Sequence, residues 1–155
     1  MDLSDILSEE SVIFCSDVTT KGELLQILSA RAAEQTGKDV EVILEAIENR
    51  EALGSTGLGN GIAIPHGKLP ELDGVTAVFA RLSQQIDFGA IDDQPVDLVM
   101  MLLAPLGAGA DHLRALALVA RILRTEPVLA RLRAAEDPQR LYELLIQPMT
   151  THKAA

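Results

Sequence analysis

Tryptophan is absent from this 155-residue chain, and the other aromatics are few: three phenylalanines and one tyrosine. That is thin material for a base-stacking platform and argues against single-stranded nucleic acid as a ligand. Positive charge is also short. Thirteen Lys and Arg stand against 23 Asp and Glu, a formal net charge of −10. A broad nucleic-acid footprint, or polybasic docking on anionic lipid, needs the opposite balance. Cys15 is the one cysteine, so neither an intramolecular disulfide nor a Cys-rich zinc site can form. A lone thiol fits a reducing compartment. Long hydrophobic runs are missing too. The longest uncharged, mostly apolar stretch is Leu98 to Ala110, too short to span a bilayer. Met1-Asp2-Leu3-Ser4-Asp5 is acidic and has neither the basic nor the apolar region of a signal peptide. The expectation is a soluble, cytoplasmic protein without stable membrane insertion.

What is present is ordinary globular material, 48% hydrophobic and 23% charged, and enough of it to bury a core without staples. Val12-Ile13-Phe14-Cys15 is a short strand candidate. Thr20-Lys21-Gly22-Glu23 has the form of a capping box. Behind it Leu24, Ile27, Leu28 and Ala32 recur at helical spacing up to Gly37, a C-cap. Asp39 reads as the N-cap of a second helix, with Val40, Ile43, Leu44 and Ile47 as its apolar stripe, ending near Arg50 to Leu53. Val75 to Leu82 and Leu98 to Leu103 read as strands, the second buried with its Met100-Met101 pair. Leu113, Leu116, Ala117, Ala120 and Leu123 trace a third helix. Thr125-Glu126-Pro127 and Asp137-Pro138 open two more. Interleaved helices and strands imply an α/β fold: one compact domain over residues 1–147, a small mixed β-sheet flanked by helices, then a disordered tail at 148–155. His152 falls in that tail and receives no role. The charged run Arg131, Arg133, Glu136 and Asp137 reads as a solvated helix face. Asp92-Asp93 could hold a metal, but with Gln94-Pro95 behind it the simpler reading is a turn. Cys15, in an apolar stretch, reads as core.

Residues 54–68 differ in kind. Glycine falls at 54, 57, 59, 61 and 67, and no helical period survives, so the segment reads as a turn-rich loop with room for a short strand at Ile62-Ala63-Ile64. Such a loop is costly in chain entropy and suggests backbone that approaches a ligand closely or offers amides to an anion. Two common templates fail. Leu69 follows Gly67-Lys68 where a phosphate loop needs a hydroxyl, and residue 62 lacks the third glycine of a dinucleotide fingerprint. A glycine-rich structural turn remains the plain alternative. His66 sits between Pro65, which fixes φ, and Gly67, which removes side-chain bulk. An imidazole, with an ordinary pKa of about 6.5, is mostly neutral at pH 7 and can offer one ring nitrogen as a nucleophile. The residues alone leave two readings for His66: a positioned nucleophile, or an exposed loop histidine without a role. For His112 they favour a surface histidine at a helix N-terminus.

Gly54-Ser55-Thr56-Gly57-Leu58-Gly59-Asn60-Gly61-Ile62-Ala63-Ile64-Pro65-His66-Gly67-Lys68 resembles the active-site segment of the enzyme IIA components of the mannitol/fructose class. These belong to the bacterial phosphoenolpyruvate-dependent phosphotransferase system, and the nitrogen-regulatory branch is the most similar. Ile91-Asp92-Asp93-Gln94-Pro95-Val96-Asp97-Leu98 and Leu132-Arg133-Ala134-Ala135 resemble the same family, and the likeness covers nearly the whole chain. It implies the mannitol-type IIA fold and a phosphohistidine carrier that needs no cofactor and no metal. His66 would accept a phosphoryl group from an HPr-like phosphocarrier, and Arg50 matches the family's active-site arginine. His112 matches its second active-site histidine. Ser55, Thr56 and the loop amides would donate to phosphoryl oxygens. Asn60 stands where sugar-branch members often carry Glu, which favours the nitrogen branch and leaves the role of residue 60 open. The implied output is regulatory: phosphorylated and unphosphorylated forms bind different targets, with potassium transport and sensor proteins suggested by the resemblance. The alternatives are a sugar-specific fructose or mannitol IIA component that passes phosphoryl to a IIB domain, and a non-catalytic anion-binding module of the same fold.

Overall fold

The computed structural model describes residues 1–147; the expected tail, His152 included, lies outside the described residues. Two 3-10 turns, Leu3–Asp5 and Glu9–Ser11, lead into β1 (Val12–Cys15). Then come α1 (Lys21–Thr36) and α2 (Val40–Ala52), three short strands β2 (Gly57–Gly59), β3 (Ile62–Ala63) and β4 (His66–Leu69), and two long ones, β5 (Thr76–Ile86) and β6 (Val96–Pro105). Helices α3 (Gly109–Ile122), α4 (Glu126–Ala134) and α5 (Pro138–Ile146) close the chain. The helix signals of the first third are obeyed in detail. Thr20 and Glu23 form both arms of the capping box, Gly37 ends α1 in the left-handed region at φ 74°, and the Asp39 carboxylate accepts from the Glu41 amide.

The sheet runs β1-β5-β6-β3-β2, with β4 also on β6. β5 and β6 are antiparallel, whereas β1 lies parallel to β5, and β3 and β4 lie parallel to β6. Side chains alternate across the pleat. Ala77, Phe79, Leu98, Met100 and Leu102 join the core under α3, α4 and α5. Val78, Ala80, Leu82, Val99, Met101 and Leu103 join the core against α1 and α2. Both faces of β6 are therefore covered, which is why its sequence is apolar without alternation. Cys15 is buried in the second core, and burial pushes its thiol pKa up.

Several details differ from the sequence reading. His66 is the first residue of a strand, paired with Leu102, not a loop residue. Its partner is remote in sequence, so local pattern gives no sign of the pairing. Helix α3 is rotated by one residue. His112, Ala115, Leu118, Val119 and Ile122 face the core, while Leu113 is 67% exposed. Apolar residues surround much of this helix, so two adjacent stripes fit its period equally well. β5 extends through Ser83-Gln84-Gln85, which are exposed and carry no hydrophobic pattern.

Arg133 is no solvated surface residue. Its guanidinium takes the Asp97 carboxylate through Nε (3.0 Å to Oδ2) and Nη2 (2.9 Å to Oδ1), and Nη2 also donates to the Asn60 carbonyl at 2.5 Å. This clasp ties α4 to the β2–β3 turn, where Asn60 (φ 57°) and Gly61 (φ 81°) both occupy the left-handed region. Asn-Gly suits that turn because both residues tolerate positive φ. A Cβ at Gly61 would run into the Arg133 guanidinium and stand 2.8 Å from Asp97 Oδ1. Gly61→Ala is expected to lower stability in urea denaturation by roughly 1–3 kcal/mol from the strained backbone alone. An unchanged midpoint would mean that the clasp and turn yield freely.

Candidate active site

β3 and β4 lie along β6 in one continuous register. Ile62 stands opposite Leu98 and His66 opposite Leu102, four residues further on each strand. Ile64 and Pro65 interrupt the pairing without shifting it, and the Pro65 carbonyl accepts from the Leu102 amide at 2.9 Å. The interruption frees the Ile64 carbonyl for a side chain. His66 Nδ1 lies 2.9 Å from it. A carbonyl only accepts, so Nδ1 carries the proton and Nε2 keeps its lone pair. Helix α2 passes close by: a Cβ at Gly67 would stand in contact with Ala46 at 3.4 Å.

His112 comes from the first turn of α3. Its ring centroid is 5.3 Å from that of His66, with the planes tilted by 54°. It is 7% exposed, and Nδ1 is sealed from solvent without a hydrogen-bond partner. Burial lowers its pKa first, and the nearby His66 and Lys68 charges push it the same way. The two histidines, Arg50 and Lys68 share the wall of a cleft of about 660 Å³. Arg50 and His66 also line a smaller cavity of about 310 Å³ on the other side, with Ser55, Thr56 and Arg124. Arg50 is in the last turn of α2, and its Nη1 donates to the Gly54 carbonyl at 2.9 Å. Arg50, Lys68 and Arg124 thus stand around the two cavities, with Glu45 as the one acidic residue of their lining.

The fold therefore brings together His66, His112 and Arg50. Ser55 and Thr56 are adjacent, but their hydroxyls are already engaged. Ser55 Oγ donates to the Phe88 carbonyl at 3.1 Å, and Thr56 Oγ1 makes a short bond to Glu51 Oε2. Thr56 also spends its amide on Glu51 Oε1, at 3.2 Å. Asn60 lies away from the cleft, in a separate cavity with Asp92, Asp97 and Arg133. It forms the hairpin turn, and the Asn-Gly pair was the signal for that role. Asp92 likewise belongs to a turn, accepting from the Asn60 and Gln94 amides. Among the described residues no group of three His, Cys, Asp or Glu could hold a metal ion. The sequence reading missed Glu51 and its partner Lys21, because neither belongs to a recognisable motif.

The lowered His112 pKa has a consequence for stability. Between that pKa and the unfolded value of about 6.5, the unfolded chain binds more protons at this residue than the folded one. The contribution of His112 is intact above about pH 6.5 and is lost as pH falls toward the folded pKa. Urea denaturation from pH 8 to 5 is expected to show a shallower pH dependence in His112→Gln than in wild type. Parallel profiles would contradict the burial of this ring.

Residues 5–147 match the family model described as phosphoenolpyruvate-dependent sugar phosphotransferase system, EIIA 2. The chain is 48% identical over 151 residues to a protein of Bradyrhizobium diazoefficiens named "Nitrogen regulatory protein", covering 97% of this chain and 99% of that one. The crystal structure of nitrogen regulatory protein IIA-Ntr from Neisseria meningitidis superposes with a TM-score of 0.85 at 29% identity, over 92% of this chain and 98% of that one. The crystal structure of IIA mannitol from Escherichia coli does so with a TM-score of 0.75 at 25% identity, over 89% and 97%. No helix among the described residues is long and apolar enough to cross a membrane. Sheet and helices are thus those of a phosphotransferase-system IIA domain, and the chain belongs to the EIIA 2 family.

Proposed function

We infer that this chain is a cytoplasmic phosphohistidine carrier of the nitrogen-regulatory branch, taking a phosphoryl group on Nε2 of His66 from the phosphohistidine of an HPr-like donor. One observation carries the reading: the bond from His66 Nδ1 to the Ile64 carbonyl. It commits the proton to Nδ1 and leaves Nε2 as the nucleophile. The Nε2–P bond forms as the donor's N–P bond breaks, so one imidazole replaces another and the driving force is small. Alignment and charge stabilisation are then what the protein contributes. The Arg50 guanidinium, beside the same cleft, offers a planar fork of donors to the equatorial oxygens. His112 acts as a neutral donor. Its Nδ1 is sealed without an acceptor, so the useful tautomer places the proton on Nε2, toward a phosphoryl oxygen. The Nδ1–H bond of His66 persists after transfer and shares the positive charge of the phosphorylated ring with the Ile64 carbonyl.

Phosphorylation adds about −2 charges to a surface cleft whose charged lining is Arg50, Lys68 and Glu45. That change alters the docking surface, and regulatory target proteins reading the two forms are the proposed output. The likeness to a protein named for nitrogen regulation supports this branch.

Incubation with phosphoenolpyruvate, enzyme I and an HPr-like carrier is expected to add one phosphoryl group by intact mass, labile in acid and stable in base. His66→Ala should abolish it, and Arg50→Ala should slow it by about a hundredfold, the scale of losing one transition-state donor. Labelling that survives in His66→Ala would refute the site. Onward transfer to a fructose or mannitol IIB would place the chain in the sugar branch, and no labelling of wild type would leave a non-catalytic module.

A further inference from the structure

Glu51 follows Arg50 in the last turn of α2, and its side chain is only 6% exposed. A carboxylate so placed needs a countercharge and filled lone pairs, and both are supplied. Lys21 Nζ, at the first residue of α1, lies 2.7 Å from Oε1. The same ammonium donates to the Phe88 carbonyl at 3.3 Å and sits 4.3 Å above the Phe88 ring. The amide and hydroxyl of Thr56 also donate to Glu51, one to each oxygen. Ser55 is pinned from the same side through the Phe88 carbonyl.

These contacts lead to the nucleophile. The carbonyl of Thr56, a residue held by Glu51 at its amide and its hydroxyl, accepts from the Ile64 amide at 3.1 Å. The Ile64 carbonyl then accepts from His66 Nδ1 at 2.9 Å. A second branch reaches the guanidinium: the Gly54 amide donates to the Glu51 backbone carbonyl at 3.1 Å, and the Gly54 carbonyl holds Arg50 Nη1. As a device for stability the ion pair is poor, since a buried pair is commonly matched or bettered by apolar residues of equal volume. As a device for placement it is well situated, because the carboxylate holds Thr56 on the path to the ring, while the backbone carbonyl of the same residue holds Gly54 on the path to the neighbouring cation.

We propose that Glu51, neutralised by Lys21, is a positioning residue for phosphoryl transfer, holding Thr56 so that the Ile64 carbonyl fixes the tautomer and orientation of the His66 ring. Glu51 touches neither the phosphoryl group nor the reacting nitrogen. The proposal rests on His66 being the phosphoryl acceptor, but part of its test does not.

The test uses the full chain labelled with nitrogen-15 in histidine, and four variants: Glu51→Gln, Lys21→Met, the Lys21→Met/Glu51→Gln double variant, and Thr56→Val. Ring nitrogen shifts report the His66 tautomer without any phosphoryl donor, and transfer from a phosphorylated HPr-like carrier gives kcat and KM. Glu51→Gln leaves the Lys21 ammonium without its countercharge and weakens the grip on Thr56. It is expected to mix the two His66 tautomers and to cut kcat about tenfold to a hundredfold, the scale of a misplacement near 1 Å, with KM little changed. Lys21→Met should shift both readouts in the same direction. The double variant removes the stranded charge and lets the amide accept from the Thr56 N–H and donate to its hydroxyl, so both readouts should return most of the way. Thr56→Val keeps the backbone bonds and loses one grip, giving a smaller shift if the other single variants do not fold. A wild-type tautomer in a folded Glu51→Gln or Thr56→Val protein overturns the proposal, whatever the rate. So does a double variant that folds without recovering. Wild type that accepts no phosphoryl group sinks the carrier reading instead, and the tautomer measurements still decide the role of Glu51.

Discussion

An imidazole offers two nitrogens, and a carbonyl in contact with one decides what the other can do. In this chain the deciding carbonyl is that of Ile64, and it is free only because β3 and β4 leave a gap in their pairing with β6. Pro65 makes the gap. It has no N–H to give a ladder, yet its carbonyl still accepts from Leu102, so the register of β4 matches that of β3. The ring is therefore held by sheet geometry, at the side of a strand buried on both faces, and not by a mobile loop. Helix α2 runs past Gly67, and the end of that helix brings Arg50 to the same cleft.

The rest of the site follows from what must pack around that gap. Helix α3 presents His112 on its core face among Ala115, Leu118, Val119 and Ile122, so the second ring arrives as part of a hydrophobic stripe and is desolvated by it. The other end of the glycine-rich segment is tied down independently. Arg133 and Asp97 hold the Asn60-Gly61 turn, and Glu51 holds Thr56. Two ion pairs thus anchor a segment too rich in glycine to order itself, one on each face of the sheet.

Legibility in the sequence followed the range of the interactions. Thr20 with Glu23, Gly37 and Asp39 act within four residues, and the helix ends they predict are those found. The Asn60-Gly61 hairpin is equally local, but residue 60 was read through the family likeness, which left its role open, and not through the turn signal of the Asn-Gly pair. Long-range pairings left no such trace. That His66 belongs to a strand depends on Leu102, and that Arg133 is a clasp depends on Asp97 and Asn60. In a run of charges an arginine that clasps a carboxylate is written the same way as one that faces water. The phase of α3 failed for a different reason: with Leu, Ala and Val distributed around the helix, period alone cannot choose between neighbouring stripes. The family likeness supplied His66, His112 and Arg50, but it offered Ser55 and Thr56 as phosphoryl donors, and their hydroxyls are spent on Phe88 and Glu51.

For a carrier, grip is as hazardous as weakness. Phosphoryl passing between imidazoles gains little free energy, and every 1.4 kcal/mol of extra stabilisation on the carrier slows its discharge about tenfold if the next transition state is not lowered too. A second histidine that became cationic would attract the bound dianion strongly. One kept neutral by burial gives a hydrogen bond of ordinary strength. The sealed Nδ1 of His112 and the downward push on its pKa therefore suit a site that must let go. Burial of that ring costs stability at low pH, and the same burial keeps the proposed relay reversible at neutral pH.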